Sequence, residues 1–208
     1  MVSRNTKAIS SSPENIPSAA PFWPMGMVLL VCAALFAGCA AGDPTVLEES
    51  LANIESSDEA DRLKGIETLS SLGEEAKPHA AKIAALLKDT SAEVRRTAIT
   101  VLISLEHNSP EFVQELSAMA SGDAEATVQT TALHALLDIG ANEQFMKGCK
   151  EAIAGGDAAK KMEAIMYLGE AAGGGVAGAK EELEAIAGGS DAEAATAAKD
   201  SLKMLEEQ

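Results

Sequence analysis

Residues 72–105 read LGEEAKPHAAKIAALLKDTSAEVRRTAITVLISL, and the reading of the whole chain starts from them. Pro78 suits the first turn of a helix, where the amide it lacks would have no partner anyway. Ile83, Leu86 and Leu87 follow at a spacing that shares one helical face. Lys88 falls in the last turn, where a cation complements the helix dipole. Asp89-Thr90-Ser91 breaks the pattern, and Ser91 is placed to cap a second helix. That helix carries Val94, Ala98, Leu102 and Leu105 on one side, with Arg95 and Arg96 beside the stripe. Neither helix can bury its apolar face alone. Each needs the other, and the pair needs neighbours.

The neighbours are in the sequence. The small-then-leucine pair Ala98/Leu102 recurs as Gly65/Leu69, Ala132/Leu136, Ala164/Leu168 and Ala198/Leu202, every 32 to 34 residues. The residue after the small anchor is Ile66, Ile99, Leu133 or Ile165, but Lys199 in the last copy. Asp58, Asp123, Asp157 and Asp191 open the helices that carry the anchors, and Asp89 lies in the turn of the quoted copy. Ser56 with Glu59 forms a capping box for the helix that stops at Gly73. Asn108-Ser109-Pro110 marks a turn. One helical hairpin per period of roughly 20–50 residues is the mark of a solenoid. The small anchors suit close helix–helix approach.

Leu72-Gly73, Ala76, Pro78, Ile83, Leu86-Leu87, Asp89, Val94-Arg95, Ala98 and Leu102 together resemble a HEAT repeat, in particular the HEAT-like type first noted in phycobilisome lyases. The resemblance runs from about Val46 to Leu205 and is strongest in the second copy. It implies an all-α, right-handed α-solenoid of about five HEAT-like helical hairpins over residues 46–206, after a disordered leader. It also implies that Asp and Arg tie successive turns together. Arg62 aligns with Arg95, but the next copies carry Gln129, Lys161 and Ala195, so the ladder is incomplete and stacking is expected to lose regularity toward the C-terminus. HEAT-like repeats imply protein binding far more often than catalysis. In such stacks the second helix of each pair lines the concave side, which here means the segments starting at Pro78, Pro110, Glu143 and Val176. The off-core residues His79, Lys82, Gln114, Glu115, Lys147 and Lys150 are therefore the partner-binding candidates.

Composition agrees with packed helices. Hydrophobic residues make up 47% of the 208 but aromatics only 3%, so the core must be built from Ala, Leu, Ile, Val and Met rather than from the aromatic-rich faces of a β-sandwich. Asp and Glu outnumber Lys and Arg by 32 to 16, a net charge of −16. Such a surface repels phosphate backbones, which argues against nucleic-acid binding. After Gly169, Ala and Gly dominate and the apolar faces thin out. Small side chains bury little area, so this end is expected to be a weakly stabilised cap.

The N-terminal part carries an address. Arg4 and Lys7 precede a Ser/Pro-rich run to Pro24 without periodicity. Residues 25–38, MGMVLLVCAALFAG, are almost wholly apolar, too short for a comfortable span of ~20 residues. They match the apolar core of a secretory signal, with residues 1–38 as leader and 39–45 as a tether. Met25 and Met27 offer alternative starts. Leu35-Phe36-Ala37-Gly38-Cys39 looks like the lipobox of bacterial lipoproteins, with Phe36 where Leu is usual. The resemblance implies acylation of Cys39, cleavage before it, and a lipid anchor facing the extracytoplasmic side of a bacterial envelope membrane. The other reading is an ordinary signal peptide, or an uncleaved anchor, that happens to contain Cys39.

Little in the chain points to catalysis. Gly173-x-Gly175-x-x-Gly178 has dinucleotide-binding spacing but follows a helical segment rather than a strand, so an interhelical loop is expected. His79, His107 and His134 have no partner at metal-ligand spacing. Cys149 lies among Phe145, Met146 and Ile153 and reads as a small buried hydrophobe. No catalytic residue, cofactor or metal is assigned. The sequence is read as a non-catalytic, membrane-anchored scaffold for an unidentified protein partner. The alternatives are a lyase or lyase-accessory protein, and a passive structural envelope lipoprotein.

Overall fold

The computed structural model describes residues 44–207. The leader, the lipobox with Cys39, and the tether up to residue 43 lie outside the described residues. Ten α-helices follow one another: α1 (Pro44–Asn53), α2 (Glu59–Leu72), α3 (Ala80–Ala85), α4 (Ala92–Ser104), α5 (Pro110–Gly122), α6 (Ala126–Asp138), α7 (Asn142–Ala154), α8 (Ala158–Gly173), α9 (Ala179–Ala187) and α10 (Ala192–Glu206). Among the described residues there is no strand. Helix α1 takes in Pro44 and Thr45, two residues ahead of the boundary expected at 46. The helices pair in sequence order, α1 with α2 through α9 with α10. The even-numbered helices also stack on one another from α2 to α10, and α5 packs on α7. The fold is an all-α solenoid.

The repeating anchors are the core of the even layer. Gly65, Ala98, Ala132, Ala164 and Ala198 are all buried, as are Leu69, Leu102, Leu136 and Leu168. Close approach explains the small residues. A Cβ at Gly65 would lie 2.8 Å from both Ser50 O and Asn53 Cβ and 2.9 Å from Ile54 N, so α1 can rest on α2 only where the side chain is missing. Leu202 in the last copy is half-buried.

Three local expectations change. The first helix of the quoted stretch is broken into pieces: a 3-10 turn at Lys77–His79, the short α3, and a second 3-10 turn at Leu86–Lys88. Pro78 has no amide to donate, and His79 N reaches back only three residues to Ala76 O, at 2.8 Å. Ile83, Leu86 and Leu87 are buried all the same. The cap of α2 is Asp58, not Ser56. Ala60 N donates to Asp58 Oδ1 at 2.8 Å, while the Ser56 hydroxyl accepts from Asp58 N and donates to Asp61 Oδ2. A carboxylate is the stronger acceptor at the positive end of a helix. Ser91 and Ser109 do cap α4 and α5, accepting from Val94 N and Phe112 N.

The third change is at the C-terminal end, where stacking does not lose its order. Helix α10 packs on α8 as α4 packs on α2. Ala179, Leu183, Ala194 and Ala198 are buried there. The composition that thins the apolar face also brings the backbones together. A Cβ at Gly169 of α8 would meet Ser201 of α10 at 3.1 Å.

Candidate functional site

The turns between hairpins are held by a ladder of charge. Arg62 on α2 places Nε 2.7 Å from Asp89 Oδ2 and Nη2 2.8 Å from Asp89 Oδ1, and its Nη1 donates to the carbonyls of Ser56 and Ser57. Arg95 on α4 repeats the arrangement on Asp123, at 2.8 and 2.6 Å, with Nη1 on the carbonyls of Asp89 and Thr90. Each guanidinium thus fixes the turn before its own helix and the corresponding turn of the next hairpin. The planar fork suits a carboxylate held edge-on. Burial pushes the Asp89 carboxyl up, but the Arg62 fork and the Ser91 amide overcome it and leave the group below the usual carboxylate range. For Asp123, Arg95 and the Glu125 amide do the same.

Asp123 therefore does not open α6. It ends α5, and Glu125 occupies the N-cap position without a side-chain cap bond. Asp58, Asp157 and Asp191 are caps. Asp89 and Asp123 bridge, Asp58 and Asp157 cap, and Asp191 does both. A further rung was missed: Lys161 Nζ lies 2.6 Å from Asp191 Oδ2, and this contact together with the Ala194 amide lowers the Asp191 carboxyl. Lysine supplies the charge there without the fork. Gln129, where the third arginine is expected, donates to the carbonyl of its own turn at Asp123.

The partner-binding candidates lie along the odd-numbered helices and the turn before α3. His79 is half-buried in the 3-10 turn. Lys82 is exposed on α3, 3.3 Å from Glu55. On α5, Gln114 is exposed and Glu115 is 3.4 Å from Lys88. On α7, Lys147 is 3.9 Å from Glu151, and Lys150 is 3.2 Å from Glu182 of α9. Lys82, Glu115 and Lys150 thus each reach a neighbouring hairpin, a use the sequence did not disclose.

Between these helices run shallow furrows. One, of about 570 Å³, lies between α3 and α5, floored by Ala81, Ala84, Ala85 and Phe112 and flanked by Lys88 and Glu115. A second, of about 370 Å³, lies between α5 and α7 beside Gln114, Ser117, Gln144 and Lys147. A third, of about 580 Å³, lies beside Met146, Lys147, Lys150 and Ala177. The apolar floor follows from alanines at positions where larger side chains would have filled the space. The sequence signal for it is the run of alanines in α3, Ala80, Ala81, Ala84 and Ala85.

Residues 80–146 match the family model for HEAT repeats. The match begins at α3 and ends within α7, so it contains the Arg95–Asp123 rung, the first furrow and all of the second but Lys147. This part of the chain is HEAT-like, in sequence and in structure. No curated protein matches the chain. HEAT repeats commonly present an extended surface to another protein.

The residues discounted for chemistry are also placed. The Gly173–Gly178 motif spans the end of α8 and the loop to α9, with Gly175 and Gly178 at φ +77° and +84°. No three His, Cys, Asp or Glu among the described residues form a group able to hold a metal ion. Cys149 is buried, and burial together with Glu182 pushes its thiol up to about 12. No described helix is long and apolar enough to cross a membrane.

Proposed function

We propose that this protein is an exported, lipid-anchored scaffold that holds another protein against the face formed by its odd-numbered helices. The observation that carries the reading is the set of furrows on that face, the first floored by Ala81, Ala84, Ala85 and Phe112 and each bordered by at least one charged side chain, within a solenoid that the ladder holds in register. The net charge of −16 favours a partner of basic surface. Leu35-Phe36-Ala37-Gly38-Cys39 after an apolar run supports attachment through Cys39, with the repeats on the extracytoplasmic side of a bacterial envelope membrane.

The test is capture from native membranes. Full-length protein with a C-terminal tag is lightly cross-linked in its own host and extracted in detergent. Mass spectrometry identifies what co-purifies and weighs the protein's own N-terminus. A stoichiometric partner, with a mature chain beginning at an acylated Cys39, supports both halves of the proposal. An uncleaved leader in the soluble fraction removes the anchor. Gln114→Lys/Glu115→Lys, which places positive charge on the face opposite a basic partner, is expected to reduce capture at unchanged helicity. Undiminished capture takes the odd-helix face out of consideration.

A further inference from the structure

The ladder has a gap, and both of its halves are missing at the same place. Asp89, Asp123 and Gly155 each stand directly after a helical segment and before an even-numbered helix. Their backbones agree: φ/ψ of −62/151°, −63/145° and −68/161°. Gly155 therefore occupies the position of the rung aspartate, with no carboxylate to offer. Its φ is one that any residue adopts. Opposite, Gln129 stands where Arg62 and Arg95 stand in their hairpins, and its amide is turned back onto Asp123 O. Asp157, two residues on, caps its own helix through Lys160 N at 3.1 Å instead of crossing to Gln129.

A small crevice of about 10 Å³, partly open to solvent, lies at the same spot among Ala120, Gln129, Thr130, Leu133, Ala152 and Lys160. Further along α6 and α8 the seam is pinned. The His134 ring lies on Tyr167, centroids 5.1 Å apart, with Nε2 3.6 Å from Glu170. In the odd layer one exposed bond crosses, Ser121 Oγ to Glu151 Oε2 at 2.7 Å. On either side the ladder resumes, through Arg95–Asp123 before the gap and Lys161–Asp191 after it.

We infer that the seam between α6 and α8 is the hinge of this solenoid: α1–α6 and α7–α10 are two laddered blocks that part first at the Gln129/Gly155 end. Local opening follows the fewest strong ties, and here the two charge-assisted bonds of a rung are replaced by none.

Hydrogen exchange of the full-length protein, read by mass spectrometry and corrected for intrinsic rates, tests this. Residues 155–163 are expected to exchange faster than the corresponding residues 89–97 and 123–131. Restoring the rung with Gln129→Arg/Gly155→Asp is expected to slow residues 155–163 by about tenfold, leaving 89–97 unchanged. Equal exchange at the three seams in the parent protein, or no slowing in the restored one, overturns the inference. The mirror variant, Arg95→Gln/Asp123→Gly, decides the matter if the restored protein does not fold. Faster exchange confined to residues 123–131 and the contacts of α4 supports the hinge logic. A uniform rise along the chain overturns it.

Discussion

Arg95 closes on Asp123 through two near-parallel hydrogen bonds, Nε to Oδ2 at 2.8 Å and Nη2 to Oδ1 at 2.6 Å, across 28 residues of sequence. The pair is largely shielded, with side-chain exposures of 12% and 7%. Its remaining nitrogen, Nη1, holds the turn at Asp89 and Thr90. One guanidinium therefore sets the spacing of two consecutive turns.

Removing the carboxylate leaves that guanidinium without its partner. Asp123→Ala is expected to destabilise the fold by about 2 kcal/mol, the worth of hydrogen bonds to charged groups. Arg95→Lys keeps the charge and loses the fork, so a smaller loss is expected. Urea denaturation followed by circular dichroism reads both. A midpoint for Asp123→Ala equal to that of the parent would show the rung to be ornamental.

The same carboxylates set an acid limit. Asp89 and Asp123 sit below the usual carboxylate range in the folded protein, so the unfolded chain takes up protons first as the pH falls. Their contribution is complete above about pH 4 and is lost as pH drops through the depressed folded values. Asp89→Asn/Asp123→Asn is expected to lower the urea midpoint at neutral pH. Its midpoint should also fall less steeply than the parent's below about pH 4. Parallel curves for the two proteins would contradict the assignment.

Two glycines make a controlled comparison. Gly65→Ala drives a Cβ into Ser50 O, Asn53 Cβ and Ile54 N, two of them backbone atoms, and is expected to cost about 3 kcal/mol. Gly122, the last residue of α5, has nothing within 4 Å of a built Cβ. Gly122→Ala is expected to be neutral or to stabilise by up to about 1 kcal/mol. Thermal melts of the two variants give the answer, and equal shifts would refute the close-approach argument.

Cys149 is expected to be inert in the native state. Its thiol is buried and pushed up to about 12, leaving little thiolate near neutral pH. Alkylation at about pH 8, quantified on the Cys149 peptide, should be more than about a hundredfold slower in buffer than in urea. Comparable rates would mean that α7 opens far more readily than its packing implies.

Much of this fold was legible because its period is local. A small residue and a leucine one turn apart can be counted along the chain, and the buried Gly65, Ala98, Ala132, Ala164 and Ala198 are the positions that count marks. Gly73 as a helix stop, at φ +54°, and the serine cap at Ser91 were legible too, since a cap acts within four residues, whereas Ser109 was legible only as part of a turn. The candidate site was legible only as a face. Helical phase placed Lys82, Gln114, Lys147 and Lys150 off the core. It could not show that Lys82 and Lys150 lean on Glu55 and Glu182, some thirty residues away.

What the sequence by itself determined is the repeat and its helical hairpins, because apolar periodicity and turn chemistry are properties of neighbouring residues. What only the tertiary structure decided is which aspartates bridge and which cap, that Lys161 completes a rung on Asp191, and that Gly155 stands where an aspartate bridges elsewhere. Those roles depend on which side chains a stacked neighbour brings within 3 Å. An offset of two residues in a turn changes the partner while leaving the pattern along the chain intact.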